Sequence, residues 1–132
     1  ITALFGLFSR SRNEFTYINA GHLPPLVRRS NGALESPAAA DLVIGVLPEV
    51  QFTAHRLALD PGDFLILYTD GITEAISPRD EMFGEERLEQ FVQGVDANSA
   101  EEMCRAIEGE IAAYRATAEQ SDDITLLTLH PM

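Results

Sequence analysis

Two acidic positions have the residue type and the spacing expected of a binding site for a divalent cation. Asp70 follows the apolar run at residues 64–68, and Asp122 and Asp123 precede the largely apolar stretch at residues 124–129. If these segments are neighbouring antiparallel strands, the end of one lies beside the start of the other, and Asp70 and Asp122 converge at one rim of a sheet. Carboxylates held close together repel one another unless a cation compensates, and Mg²⁺ and Mn²⁺ prefer oxygen ligands.

A purely structural role for the same residues stays open at this point. Asp70 precedes Gly71 in a Thr-Asp-Gly sequence, so its carboxylate could simply cap the turn after the strand. Asp122 could do no more than begin the last strand. The spacing alone therefore allows both a cation site and a capped turn.

The remaining polar candidates indicate fewer kinds of chemistry. His22 lies in a rigid loop between Gly21 and Pro24, where its imidazole could contact a substrate or hydrogen-bond its own turn. No serine has the glycine-flanked elbow of hydrolases, and the metal-ligand spacings His-Glu-x-x-His and Cys-x-x-Cys do not occur. The chain contains no lysine, which excludes a lysine nucleophile or P-loop lysine within it.

Length and charge narrow the class of protein further. The chain has 132 residues, enough for one domain, and 45% of them are hydrophobic. Nine arginines against 21 acidic residues give a net charge of −12, all of it in residues 61–132. Nucleic acid is not expected as a partner, because binding the phosphate backbone needs a basic face. A single cysteine and the lack of a long apolar run indicate a cytoplasmic protein without a membrane span.

Hydrophobic periodicity predicts mainly strands in the first half of the chain and two helices in the second. The expected strands are residues 1–8, 14–20, 26–29, 33–35, 50–59, 64–68 and 124–129, the fifth with a bulge near His55. Residues 37–48 are expected to be irregular, and the expected helices are residues 84–95 and 99–118. Ser99 and Glu102 form a capping box at the start of the second helix. This order predicts an α+β fold in which a meandering antiparallel sheet carries helices on one face.

Five segments, taken in order, carry a likeness to a known family. They are residues 15–25, which include Asn-Ala-Gly-His-Leu-Pro-Pro, then 44–46, 59–75, 83–88 and 122–125. In combination they resemble the stage-II-sporulation-E-like branch of the bacterial metal-dependent protein phosphatases (the PPM, or type 2C, family). The resemblance covers nearly the whole chain, and it implies a β-sandwich of two antiparallel sheets with helices packed outside.

The resemblance also implies a chemistry. Family members cleave phosphoserine and phosphothreonine esters with two Mn²⁺ or Mg²⁺ ions, and a metal-bound water attacks phosphorus, so that no protein nucleophile is needed. On the matching motifs, Asp70 and Asp122 would be metal ligands, with Asp123 in a second place in the same motif. The loop and turn residues expected beside that site are Asn19, Gly21, His22 and Gly71.

The chain departs from the family pattern at its start. The family carries a further segment before the strand at residues 1–8, with a Gly-Asp-x-x-Asp-like motif whose aspartate bridges both metals. Residues 1–132 are therefore expected to be the C-terminal portion of a single phosphatase domain that lacks its N-terminal segment. Alone, this portion is expected to be inactive or weakly active. Its uncovered sheet face is expected to need a partner, for example a second copy in a homodimer.

Expected partners follow from the same resemblance. Related phosphatases act on phosphoproteins, often signalling proteins of the anti-anti-sigma type, and are usually fused to upstream sensor or regulatory domains. The alternative is a non-catalytic regulatory module of the same fold that binds a phosphoprotein without cleaving it. The presence of both Asp70 and Asp122 favours the enzyme, because a binding module has no need of paired carboxylates at the rim.

Overall fold

The computed structural model describes residues 1–37 and 40–132, so that two residues of the predicted irregular segment lie outside the described part. Seven strands and three helices occur within those residues. The strands are β1 (Ala3–Ser9), β2 (Glu14–Ala20), β3 (Leu26–Arg28), β4 (Leu34–Glu35), β5 (His55–Ala58), β6 (Phe64–Tyr68) and β7 (Leu126–Leu129). The helices are α1 (Asp70–Thr73), α2 (Gly84–Gly94) and α3 (Ala100–Arg115). The α+β class and the two longer helices are as predicted, whereas the one-turn helix α1 was not.

The strands form two antiparallel sheets. The first has the order β1-β2-β5 and the second the order β4-β3-β6-β7. The single meandering sheet predicted from element order is therefore wrong, and the sandwich implied by the family resemblance is confirmed. The alternation of polar and apolar residues could not distinguish a single sheet from a sandwich, because a strand with two apolar faces can be covered by a helix or by another sheet.

Strand β6 lies at the centre of the fold and is covered on both faces. Leu65 points into a cluster between the two sheets, together with Phe15 and Tyr17 of β2. Phe64 and Ile66 point the other way, into the larger cluster that the second sheet forms with the helices. The unbroken apolar run of β6 therefore has a direct physical reason, since both of its faces pack against other apolar side chains.

The loop before β6 is held by an ion pair between the buried Asp63 carboxylate and the partly exposed Arg29 guanidinium. The Asp63 carboxylate accepts hydrogen bonds from Arg29 Nη1 at 2.8 Å and from the backbone amides of Ser30 and Asp60 at 2.9 and 3.0 Å. Burial raises the pKa of the Asp63 carboxyl, but these donors outweigh it and the net pKa lies below the ordinary value. The start of β6 is thereby fixed to the hairpin between β3 and β4.

Helices α2 and α3 pack on the outer face of the second sheet. Leu88 and Val92 of α2 and Ile107 of α3 are buried in the larger cluster. Helix α3 begins at the predicted cap, where the Ser99 hydroxyl accepts from the Glu102 amide at 3.1 Å. The helix ends three residues earlier than predicted, at Arg115.

One predicted strand is largely wrong. Residues 50–54 have no strand structure, and only His55–Ala58 pair with β2. There is no bulge at this place, because His55 and Arg56 oppose Tyr17 and Thr16 in regular register. The alternation of apolar residues before His55 reflects an irregular loop in which Phe52 is exposed rather than a sheet face.

Strand β1 carries two exposed apolar side chains on the outer face of the first sheet. Phe5 and Leu7 of β1 are 69% and 67% exposed. Among the strands of the described residues, β1 is also an edge strand, because it pairs with β2 on one side alone. An unpaired edge with exposed apolar side chains is a surface on which another chain segment can pair or pack.

Candidate metal centre

The pairing of β6 with β7 brings the two predicted acidic segments to one rim. The strands are antiparallel, with Tyr68 opposite Leu126. Asp70 lies two residues after Tyr68, and Asp122 lies four residues before Leu126. Helices α2 and α3 lie between the two segments in the chain and return it to the rim that it left at Asp70.

The Thr69 side chain joins these two segments by hydrogen bonds, and the absence of a side chain at Gly71 allows them to approach closely. The Thr69 hydroxyl donates to the Asp123 carbonyl at 3.2 Å and accepts from the Thr125 amide at 3.0 Å. Gly71 is buried, and a methyl group built on it would lie 2.8 Å from the Asp123 carbonyl carbon and closer still to the oxygen. Only glycine allows the start of α1 to approach the chain before β7 this closely.

Three carboxylates meet at this rim. Asp70, Glu74 and Asp122 each offer an oxygen atom, and these atoms lie within 4.8 Å of one another. All three residues are exposed to solvent. The set consists of hard oxygen donors alone, which are the ligands that Mg²⁺ and Mn²⁺ prefer. The residues present therefore fit a divalent cation.

The geometry argues against the capping interpretation of Asp70. Asp70 is the first residue of α1, and its backbone carbonyl accepts from the Glu74 amide at 2.7 Å and from the Thr73 hydroxyl at 3.2 Å. In the described residues, no donor lies within hydrogen-bond distance of its carboxylate. The turn is thus closed by backbone groups, and the Asp70 side chain remains free to face Asp122.

Glu74 was not among the sequence candidates. The signal that could have found it is its spacing of four residues from Asp70, which places both carboxylates on one side of a single helical turn. The sequence pattern predicts no helix at residues 70–73, so this spacing does not stand out in the sequence alone.

Asp123 stands apart from the three carboxylates. Its backbone carbonyl accepts the hydrogen bond from Thr69, and its amide donates to Asp122 Oδ1 at 2.7 Å. It therefore helps to position Asp122. A metal-ligand role for its own carboxylate stays a prediction.

The predicted loop residues lie next to the cluster. Gly21 and His22 line a cavity of about 320 Å³ together with Asp70 and Glu74. Asn19 is buried beneath this loop, and its side chain makes hydrogen bonds to the backbone of His22 at 2.8 and 3.0 Å. Sequence motifs far apart in the chain thus meet at one rim of the sandwich.

Two packed antiparallel sheets with outer helices match part of the PPM-type phosphatase fold, as comparison with solved structures shows. Among solved structures, the chain is similar to the Mn-presoaked phosphatase domain of SpoIIE from Bacillus subtilis, with a TM-score of 0.76 and 18% identity. That alignment covers 98% of this chain and 56% of the other. At this identity the likeness establishes the fold.

Sequence comparison establishes the family. The family model for stage II sporulation protein E (SpoIIE) matches residues 1–131, and the chain belongs to this family. It is 34% identical over 129 residues to protein IcfG of Synechocystis sp. and 27% identical over 132 residues to the phosphoserine phosphatase RsbU of Bacillus subtilis.

The chain spans only part of these relatives. Each alignment covers 98% of this chain, but only 20% of IcfG and 38% of RsbU. These relatives are thus longer than the 132 residues of this sequence. In the described part of the chain, no helix has both the length and the apolar character needed to cross a bilayer.

Proposed function

We propose that residues 1–132 are the C-terminal portion of a metal-dependent phosphatase domain that hydrolyses phosphoserine or phosphothreonine in a signalling phosphoprotein. The observation that carries the proposal is the convergence of Asp70, Glu74 and Asp122 within 4.8 Å at the rim. Membership of the SpoIIE family and similarity to a phosphoserine phosphatase support it.

The three carboxylates indicate which cofactor the site would bind. Three exposed carboxylates would hold Mn²⁺ or Mg²⁺, as both ions accept oxygen ligands. When bound, such ions activate a water molecule and neutralise charge on the phosphoryl oxygens of a substrate. The contribution of this chain is to keep the three carboxylates close together through the contacts of Thr69 and Gly71.

The cavity beside the cluster provides room for the substrate group. Its volume of about 320 Å³ is enough for a phosphoseryl side chain, and it opens beside Asp70 and Glu74. The rest of a phosphoprotein would remain outside. This arrangement supports a protein substrate, since a small metabolite would need a site that encloses it more fully.

The experiment compares metal-dependent hydrolysis by the full-length protein and by the variant Asp70→Ala. A phosphoserine peptide serves as substrate, with and without Mn²⁺. We expect Mn²⁺-dependent release of phosphate by the wild type and its loss in the variant. Asp96→Asn, an exposed carboxylate on the loop between α2 and α3, is the matched control and should retain activity. Peptide binding without hydrolysis by the wild type would favour the non-catalytic regulatory module.

The same assay tests the completeness of the site. We propose that residues 1–132 alone are inactive or weakly active, because three carboxylates from one side of a site do not make the bridged two-metal arrangement implied by the family. Turnover by the isolated chain comparable to that of the full-length protein would contradict this part of the proposal.

A further inference from the structure

The cavity beside the acidic cluster contains few groups that can bind a phosphate. Asp70 and Glu74 contribute negative charge to its wall, and Thr2, Thr69 and His22 contribute the polar side chains that can donate hydrogen bonds. A phosphoryl group carries up to two negative charges and needs such donors. Carboxylates can hold a cation but cannot donate to phosphate when ionised.

The Thr69 hydroxyl already makes hydrogen bonds outside the cavity. Its hydroxyl donates to the Asp123 carbonyl and accepts from the Thr125 amide. A hydroxyl has a single hydrogen to donate, so this side chain cannot serve the cavity without releasing the segment that carries Asp122. Among the described residues that line the cavity, Thr2 and His22 remain as side-chain donors.

The His22 imidazole is available because the turn is closed by other atoms. Asn19 Oδ1 accepts from the His22 amide at 2.8 Å, and Asn19 Nδ2 donates to the His22 carbonyl at 3.0 Å. In the part of the chain that the structure describes, no polar group lies within hydrogen-bond distance of the imidazole. The ring carries at least one N–H donor in every protonation state.

The backbone on both sides of His22 is fixed. Asn19 is 1% exposed, and Gly21 has a φ of +68°, in the left-handed region that favours glycine. A methyl group built on Gly21 would lie 2.6 Å from Val43 Cγ2. The turn is therefore held by a buried amide on one side and by close packing on the other, and the backbone position from which the His22 side chain extends is set in advance of any ligand.

We propose that His22 is a catalytic residue that donates a hydrogen bond to a phosphoryl oxygen of the substrate, with Asn19 as the residue that positions it. This inference rests on the proposed phosphatase function and names a further group at the same site. The cation held by Asp70, Glu74 and Asp122 and the imidazole would then contact the same phosphoryl group from different parts of the cavity.

The test measures kcat/KM of the full-length protein and of the variants His22→Ala and His22→Gln with Mn²⁺. A phosphoserine peptide and p-nitrophenyl phosphate are used in parallel, because they share the phosphoryl group and differ in everything else. We expect His22→Ala to lower kcat/KM by about ten- to a hundredfold on both substrates, the range for a hydrogen bond to a charged group. Affinity for Mn²⁺ should not change, and His22→Gln should recover part of the loss through its amide donor.

The matched control is His55→Gln. His55 packs against Tyr17 with 5.5 Å between ring centroids and does not line the cavity. This variant should keep wild-type activity on both substrates. A loss confined to the peptide would show that His22 contacts the polypeptide rather than the phosphoryl group, and would overturn the proposal.

Unchanged kinetics of His22→Ala would also overturn the proposal while leaving the phosphatase function intact. A wild-type protein without Mn²⁺-dependent hydrolysis would instead refute the function on which the proposal rests. A measurement on the unmodified protein guards against a variant that fails to fold. Inorganic phosphate added to the Mg²⁺-loaded wild type should shift the ¹⁵N resonances of the His22 ring, and unshifted resonances at saturating phosphate would contradict the contact.

Discussion

Replacing Gly71 by alanine tests how the metal centre is assembled. Gly71 lies inside α1 with an ordinary backbone conformation, so alanine meets no torsional obstacle there. At an open helical position this change stabilises a protein by roughly 0.4 to 1 kcal/mol. Any loss must therefore come from the contact that the new methyl group makes with the chain at Asp123.

The structure shows how far the new methyl group would overlap with the Asp123 backbone. The methyl carbon would lie 2.8 Å from the Asp123 carbonyl carbon, about 0.7 Å inside the normal separation of roughly 3.5 Å between carbon atoms. The atoms in the way belong to the backbone, so the whole segment before β7 must move. Overpacking of this kind costs about 1 to 3 kcal/mol, and a shift of this size exceeds the ~0.2 Å tolerance of metal–ligand distances.

The assay combines urea denaturation with calorimetric titration of Mn²⁺ into the full-length protein. We expect Gly71→Ala to lower the free energy of unfolding by about 1 to 3 kcal/mol and to weaken Mn²⁺ binding. The control is Gly109→Ala in the middle of α3, where a new methyl group has no neighbour within 4 Å. That variant should be as stable as the wild type or more so. Wild-type stability and Mn²⁺ affinity in Gly71→Ala would refute the close-approach argument.

Three further predictions concern stability and association. Asp63→Asn should lower the free energy of unfolding by about 1 to 3 kcal/mol, because the buried carboxylate loses its charge-assisted hydrogen bonds while Arg29 keeps its ion pair with Glu35. Since the folded pKa of Asp63 is depressed, its contribution is present above pH 3.8 and lost as pH falls further. Acid titration of the variant followed by circular dichroism should therefore show a flatter decline, and a decline as steep as that of the wild type would be contrary evidence. Burial, with a smaller effect of nearby glutamates, raises the pKa of Tyr68 from 10.0 to about 12, so the stability linked to its neutral form is complete below pH 10 and lost between pH 10 and 12. In urea melts, Tyr68→Phe should remove roughly 2 to 3 kcal/mol of that loss of stability at alkaline pH, and a loss equal to that of the wild type would count against this prediction. The isolated chain should self-associate through the exposed apolar face of β1, and Phe5→Ser with Leu7→Ser should reduce the mass measured by light scattering; a wild-type monomer would contradict this prediction.

The sequence predicted the elements whose signals are local. The apolar run of β6 is limited by a Pro-Gly turn at one end and by Thr-Asp-Gly at the other, and its bounds match the structure. The cap at Ser99 depends on atoms three residues apart, and it too is observed. Such features need no knowledge of the rest of the chain, which is why periodicity and turn residues suffice to find them.

The features that depend on tertiary contacts could not be predicted in the same way. The ion pair between Arg29 and Asp63 joins residues 34 positions apart, and no local pattern distinguishes Asp63 from any other turn aspartate. The separation into two sheets likewise depends on which strands pair, and residues 50–54 alternate in polarity without pairing at all.

The candidate site depends partly on local sequence signals and partly on tertiary contacts. Antiparallel pairing of β6 with β7 was enough to predict that Asp70 and Asp122 meet, and they do meet. Glu74 joins them only because Asp70–Thr73 forms a helical turn, which four residues alone did not indicate. The nearness of the Asn19–His22 loop came from the family resemblance, and its geometry came from the structure.

Direct titration of Mn²⁺ into the full-length protein tests the central claim that Asp70, Glu74 and Asp122 hold a divalent cation. The wild type should release or absorb heat on binding, and Asp122→Asn should weaken that binding by at least tenfold, because one of three charged ligands is lost. Glu108→Gln, which removes one exposed carboxylate from α3, should bind as the wild type does. Equal Mn²⁺ affinity in the wild type and Asp122→Asn would contradict the account.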